Sequence, residues 1–159
     1  MRIGHGFDVH KLEAGKPLVL CGVNIAHTHG LKAHSDGDVA IHALCDAMLG
    51  AAALGDIGRH FPDTDVKNKN RNSREFLLEV KQLTQNAGLK LNNLDLTIVA
   101  QKPKLAPYIE KMQRSLSGIL STDIANINIK ATTAEGLGFT GREEGIAAHA
   151  MVLLTDSEL

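Results

Sequence analysis

Arg2-Ile3-Gly4-His5-Gly6-Phe7-Asp8-Val9-His10 is the stretch on which the fold turns. Ile3, Phe7 and Val9 fall on one side of an extended chain, and Gly4, Gly6, Asp8 and His10 on the other. The alternation predicts a strand over 2–10 with one apolar face and one face that carries chemistry. Outward from it, Pro17 to Ile25 reads as a second strand and 26–35 as a polar loop. Ser35 or Asp36 then caps a helix running to about Ala53. Alanines at 40, 43, 47, 51, 52 and 53 let that helix pack closely on a neighbour. Residues 55–72, with Asp56, Asp63 and Asp65, form an irregular segment of the length that functional loops have. A second helix spans Ser73 to Ala87, with Phe76, Leu77, Val80 and Leu83 on its apolar stripe and Gly88 as its stop. Strands are expected at 94–99, 126–131 and 145–155, with a third helix entering at Pro107. The order β-β-α-α-β-α-β-β predicts an α+β fold, with helices on one face of a mixed sheet. Three helices cover one sheet face, and no segment is left for the other, so an oligomer is expected.

The 159 residues make one domain, 1–159. Hydrophobic residues are 43% and charged residues 22%, a globular composition. With 17 basic and 18 acidic residues, the chain has no field for gripping a nucleic-acid backbone or an anionic membrane. Four Phe, one Tyr and no Trp give no base-stacking platform. No apolar run approaches the ~20 residues of a membrane span. The opening Met1-Arg2-Ile3-Gly4-His5 has no signal-peptide core, and Cys21 and Cys45 have no metal or redox spacing. A bacterial cytoplasmic protein with reduced thiols is expected.

Four segments carry candidate chemistry. Asp8 and His10, two apart on a strand, point the same way with Cα atoms ~6–7 Å apart, close enough to share a metal. His42 lies mid-helix with Asp38 and Asp46 one turn to either side. Two His and one Asp leave the fourth tetrahedral position open, as in catalytic zinc sites. The same three residues also read as a half-buried polar pair and an unrelated helical His. His34-Ser35-Asp36-Gly37-Asp38 is a loop-to-helix junction suited to phosphate, or simply an N-cap. Lys130 to Arg142 puts paired threonines, Glu135 and Arg142 around glycines, which suits phosphate oxygens and a divalent ion, or a flexible turn. Within it, Gly136 to Gly141 spells G-x-G-x-x-G, but no helix and downstream acid follow, so it is not a dinucleotide site. Ala100-Gln101-Lys102-Pro103-Lys104-Leu105-Ala106-Pro107 is a stiff basic loop able to clasp a nucleotide, or an ordinary connection.

Taken in order along the whole chain, these segments resemble the 2-C-methyl-D-erythritol 2,4-cyclodiphosphate synthase family. The marks are Gly6-Phe7-Asp8-Val9-His10, His34-Ser35-Asp36-Gly37-Asp38 with His42, Gly55-Asp56-Ile57-Gly58, Phe61-Pro62-Asp63-Thr64-Asp65, Lys130-Ala131-Thr132-Thr133 with Glu135, and Gly138-Phe139-Thr140-Gly141-Arg142. Glu143-Glu144 departs from the family's Gly-Glu. The resemblance implies a homotrimer of ferredoxin-like subunits with active sites between neighbours. It implies cyclisation of 4-diphosphocytidyl-2-C-methyl-D-erythritol 2-phosphate with release of CMP. Asp8, His10 and His42 would hold Zn²⁺. Glu135 would serve a second divalent cation, Mg²⁺ or Mn²⁺. His34 and Thr133 would stabilise the transition state. Asp8, His10, His34, Ser35 and Ile57 would also bind substrate, and Asp56, Gly58 and the loop Phe61, Pro62, Asp63, Thr64, Asp65 would position the methylerythritol phosphate. Ala100, Gln101, Lys102, Pro103, Lys104, Leu105 and Ala106, with Ala131, Thr132, Thr133 and Ala134, would hold cytidine and its phosphates. Phe139 and Arg142 would lie near substrate or the trimer axis. The same residues are also compatible with a zinc phosphoesterase or a non-catalytic metal-stabilised trimer.

Overall fold

The first strand, β1, runs over Arg2–Ala14 in the computed structural model, which describes residues 1–157. Glu158 and Leu159, the end of the expected 1–159 domain, lie outside the described residues. β1 pairs antiparallel with β7 (Gly145–Asp156), from Arg2 opposite Leu154 to Lys11 opposite Gly145. β7 pairs antiparallel with β5 (Leu89–Val99), and β5 pairs parallel with β6 (Ile127–Thr132). A short β4 (His29–Leu31) extends the β1 edge, giving a mixed sheet ordered β4-β1-β7-β5-β6. The helices α1 (Val39–Ala51), α3 (Ser73–Asn86) and α4 (Ile109–Leu120) pack on one face, so the α+β architecture stands as expected.

The two sides of β1 are used the opposite way from a simple hydrophobic reading. Gly4 and Gly6 face α1, where an added Cβ would sit 1.9 Å from the carbonyl oxygens of Ala47 and Ala43. The glycines let the alanine-rich helix rest its backbone on the sheet. Ile3, Phe7 and Val9 point away from the helices and are 69%, 47% and 41% exposed. Alternation separates two faces but does not say which is covered; the facing helix decides that.

Three local expectations are corrected. The 17–25 strand is a hairpin, β2 (Leu18–Leu20) and β3 (Val23–Ile25), because Cys21 and Gly22 turn the chain at φ 52 and 72. The 26–35 loop contains β4, whose Leu31 pairs with Leu12. α1 starts at Val39 and is capped by Asp38, not by Ser35 or Asp36. The fully buried Asp38 carboxylate accepts from the Ile41, Cys21 and Gly22 amides at 3.1, 3.0 and 2.6 Å, tying the hairpin turn to the helix. Burial pushes its carboxyl up to about 6 despite those amides.

The 55–72 segment is irregular but held. Asp56 caps a one-turn α2 (Ile57–His60), and Asp65 caps a 3-10 turn at Val66–Asn68. Gly138–Gly141 forms a single turn, α5, that leads into β7, so no βαβ dinucleotide unit follows the glycines. Among the described residues, no helix is long and apolar enough to cross a membrane.

Candidate active site

β1 and α1 bring three ligand-type side chains together. Asp8, His10 and His42 each offer one atom, and these atoms all lie within 4.8 Å of one another. Asp8 Oδ2 is 3.0 Å from His10 Nε2 and 3.3 Å from His42 Nδ1. The outer ring nitrogens are already engaged. His10 Nδ1 is 2.9 Å from the Gly37 carbonyl and must donate to it, which leaves Nε2 with a free lone pair. His42 Nε2 is 3.0 Å from Ser73 Oγ. Ser73 Oγ donates to Asp36 Oδ1, so it accepts from His42 Nε2–H, and His42 Nδ1 is the free nitrogen. Ser35 Oγ stands 3.2 Å from the same Nε2.

Electrostatics favours an anionic ligand at Asp8. Burial opposes ionisation, but the neighbouring His10 and His42 imidazoles outweigh it and hold the carboxyl well below the usual carboxylate range. Burial likewise works against a charged His10, and the Asp8 carboxylate overcomes it, raising the imidazole. One carboxylate and two oriented imidazoles with a fourth position open fit a catalytic zinc ion.

The acids expected beside His42 have other tasks. Asp38 caps α1, and Asp46 accepts from the Ile57 amide at 2.7 Å, pinning α2. Burial raises the Asp46 carboxyl. The carboxylate that orients His42 is Asp36, acting through Ser73. No local spacing reveals that, since Ser73 begins a different helix. Ser73→Ala is expected to lower divalent-metal affinity ~10–100-fold while leaving the three ligands in place. Competition against a chromogenic chelator reads this, and unchanged affinity would remove Ser73 from the positioning chain.

A cavity of about 330 Å³ opens over the three ligands. Of the expected residues, His34, Ser35, Ile57, Gly58, Phe61 and Asp63 line it; Lys32, Ala33, Asn68 and Phe76 line it too and escaped the sequence reading. His34 Nε2 faces the Asp63 carboxylate at 4.0 Å. Phe61 packs on Phe76 with ring centroids 4.7 Å apart, and the Arg71 guanidinium lies 4.9 Å over Phe76. This stack secures the loop at the cavity rim. Asp56, Pro62, Thr64 and Asp65 do not line the cavity. Asp56 and Asp65 spend their carboxylates on the Arg59 and Lys67 amides.

The basic loop forms a second cavity, of about 510 Å³. Ala100, Gln101, Lys102, Pro103, Lys104, Leu105 and Ala106 line it with Ile109, Ala131, Thr132 and Thr133. The two cavities share no lining residue. His34 and Thr133 therefore lie in different cavities of one chain. Glu135 lies just outside the second cavity, its Oε1 accepting from Thr133 Oγ1 at 3.0 Å. Ala134, Phe139 and Arg142 line neither, and Arg142 pairs with Glu144 at 3.1 Å. Glu143 sits at φ 60, a conformation that favours glycine, and pairs with Lys102 at 3.1 Å.

Comparison with known proteins gives concordant matches. The sequence model of the YgbB family matches residues 1–155. A 2-C-methyl-D-erythritol 2,4-cyclodiphosphate synthase of Shewanella sp. (strain ANA-3) is 59% identical over 155 residues, 98% of each chain. A solved structure of 2C-methyl-D-erythritol-2,4-cyclodiphosphate synthase in its CDP-bound form superposes with TM-score 0.90 at 43% identity, over 97% of this chain and all of that one. The bifunctional IspDF of Campylobacter jejuni superposes with TM-score 0.96 at 49% identity, over 99% of this chain and 42% of that one.

Proposed function

This chain belongs to the YgbB family, and from that premise we propose that it acts as a 2-C-methyl-D-erythritol 2,4-cyclodiphosphate synthase. It is a phosphorus–oxygen lyase of the non-mevalonate isoprenoid pathway. It converts 4-diphosphocytidyl-2-C-methyl-D-erythritol 2-phosphate to the 2,4-cyclodiphosphate and CMP. An oxygen of the 2-phosphate forms a bond to the β-phosphorus, and the bond from that phosphorus to the CMP oxygen breaks. The observation that carries the reading is 59% identity to a synthase across 98% of both chains.

The chemistry demands that two anionic groups meet in line, so positioning and charge neutralisation are the main tasks. Asp8, His10 and His42 would hold zinc, supported by their convergence and by the engaged outer nitrogens of both imidazoles. Bound there, zinc supplies Lewis-acid polarisation of a phosphate oxygen. Glu135 would serve Mg²⁺ or Mn²⁺, ions that need only one or two carboxylates when substrate phosphates complete the shell. Lys102, Lys104 and the threonine pair 132–133 would receive CDP in the second cavity. His34 would donate to the methylerythritol phosphate from the rim of the first, and Thr133 to the diphosphate.

A substrate that spans both cavities needs them adjacent, and one chain keeps them separate. A homotrimer, its open sheet faces covered by neighbouring copies, would join the metal cavity of one subunit to the nucleotide cavity of the next. Cys21 and Cys45, both buried and unpaired, suit the reducing cytoplasm in which we place the reaction.

Phosphorus NMR of the products tests the reaction. With the cytidine diphosphate substrate and zinc plus Mg²⁺, a cyclic diphosphate and CMP are expected in equal amounts. Inorganic phosphate in their place would make the protein a phosphoesterase, and no turnover would leave a metal-stabilised scaffold.

A further inference from the structure

The turn that leads from α5 into β7 is built on an ill-suited residue. The Glu144 amide reaches back to the Phe139 carbonyl at 2.9 Å, and the Glu143 amide to the Thr140 carbonyl at 3.1 Å. These two bonds make a Schellman ending, in which the first residue past the helix cap is left-handed and most often glycine. Here that residue is Glu143, at φ 60. A side chain at this position costs backbone energy. The ion pair made in return, Glu143 with Lys102 at 3.1 Å, joins side chains 40% and 66% exposed and is weak. Stability does not account for the residue. Its partner does, because Lys102 lines the second cavity and Glu143 stands outside it. We propose that Glu143 is a competing counter-ion for Lys102. It holds the lysine while the cavity is empty, yields it to a substrate phosphate and takes it back as CMP leaves, which keeps the grip on nucleotide weak enough for release.

The inference rests on the nucleotide reading of the second cavity. The basic loop brings two lysines there, Lys102 and Lys104, and the Glu143 carboxylate neutralises the first. Among the described residues that carboxylate has no other cationic partner, since Arg142 pairs with Glu144. The loop has a separate anchor in Gln101, whose Oε1 accepts from the Gly136 amide at 3.2 Å. Breaking the ion pair therefore frees the ammonium without releasing the loop. Lysine is a compact charge on a flexible stem, suited to trading one anion for another. The trade conserves ion pairs: a phosphate that takes Lys102 forms one and breaks one. Affinity at that contact is reduced by the strength of the Lys102–Glu143 pair, and the contact adds little salt dependence.

Calorimetric titration of the full-length, zinc-loaded protein with CDP, at low and high salt, tests this. Glu143→Gln keeps the shape and removes the charge. It is expected to bind CDP ~3–5-fold tighter, with a steeper loss of affinity as salt rises. Glu143→Gly, which also relieves the turn, is expected to match it. Lys102→Ala is expected to bind CDP no tighter than wild type, and adding Glu143→Gln to it is expected to change nothing. That dependence on Lys102 separates a counter-ion from a general effect of negative charge. Unchanged or weaker binding by both Glu143 variants, or the same gain with Lys102 absent, overturns the inference and leaves the nucleotide cavity standing. No CDP binding by wild type or any variant would overturn the nucleotide reading, and the counter-ion with it.

Discussion

Replacing His42 by alanine is expected to leave a folded chain that has lost nearly all bound zinc and at least ~1,000-fold of its turnover, about 4 kcal/mol on the barrier. The position tolerates the change structurally. His42 lies mid-α1 in an alanine-rich helix, and alanine has the highest helix propensity. Ser73 loses a donor but keeps its bond to Asp36, so no buried hydroxyl is orphaned. The metal centre does not tolerate it. In the proposed centre His42 would supply one of three protein ligands, and Asp8 loses one of the two imidazoles that keep it ionised. A two-ligand remnant with a more easily protonated carboxylate binds zinc poorly. Elemental analysis reads the metal and far-UV circular dichroism reads the fold. Full zinc occupancy in this variant would take His42 out of the site. Loss of structure together with zinc would make the metal a folding element first.

What the sequence disclosed of this centre follows from how local each constraint is. Asp8 and His10 were legible because a strand's period of two places them on one side whatever the tertiary structure does. His42 was a candidate through composition, a histidine between acids on an alanine-rich helix, yet the acids proved misleading. Asp38 and Asp46 serve the α1 cap and α2, and the carboxylate that orients His42 is Asp36 through Ser73, a contact made only when α3 docks. Asp38 took over the cap for a related reason: it meets amides from α1 and from the β2–β3 turn at once, and pattern reading sees only the first. β4 was missed because a three-residue edge strand needs no hydrophobic alternation when its partner, β1, supplies the template. The exposure of Ile3, Phe7 and Val9 runs against the usual rule that apolar faces are inside. It follows from Gly4 and Gly6, which admit a helix backbone that no side-chain-bearing residue would. A sheet with its glycine side packed and its apolar side open suits the proposed homotrimer, in which a neighbouring copy would cover it.

That open face and the two unconnected cavities lead to a complementation result. Take His42→Ala, dead at the metal half, and Lys104→Ala, impaired at the nucleotide half, each trimeric and nearly inactive alone. Unfolded together and refolded at equal amounts, they are expected to recover roughly a quarter of wild-type activity. The figure follows from cyclic closure. In the proposed homotrimer each site would join the metal cavity of one subunit to the nucleotide loop of the next around the ring. Any ring holding both variants contains one junction where a chain with an intact metal half precedes a chain with an intact nucleotide half. Random assembly makes about three rings in four mixed, and each then has one good site of three. If one chain supplied the whole site, every site would carry a lesion and mixing would restore nothing. Native mass spectrometry confirms that mixed rings form, and the CMP release rate reads the recovery. Mixed rings without activity would place the metal and nucleotide halves of each site within one subunit, and the two cavities would then have to merge by a movement of the 100–106 loop toward the metal.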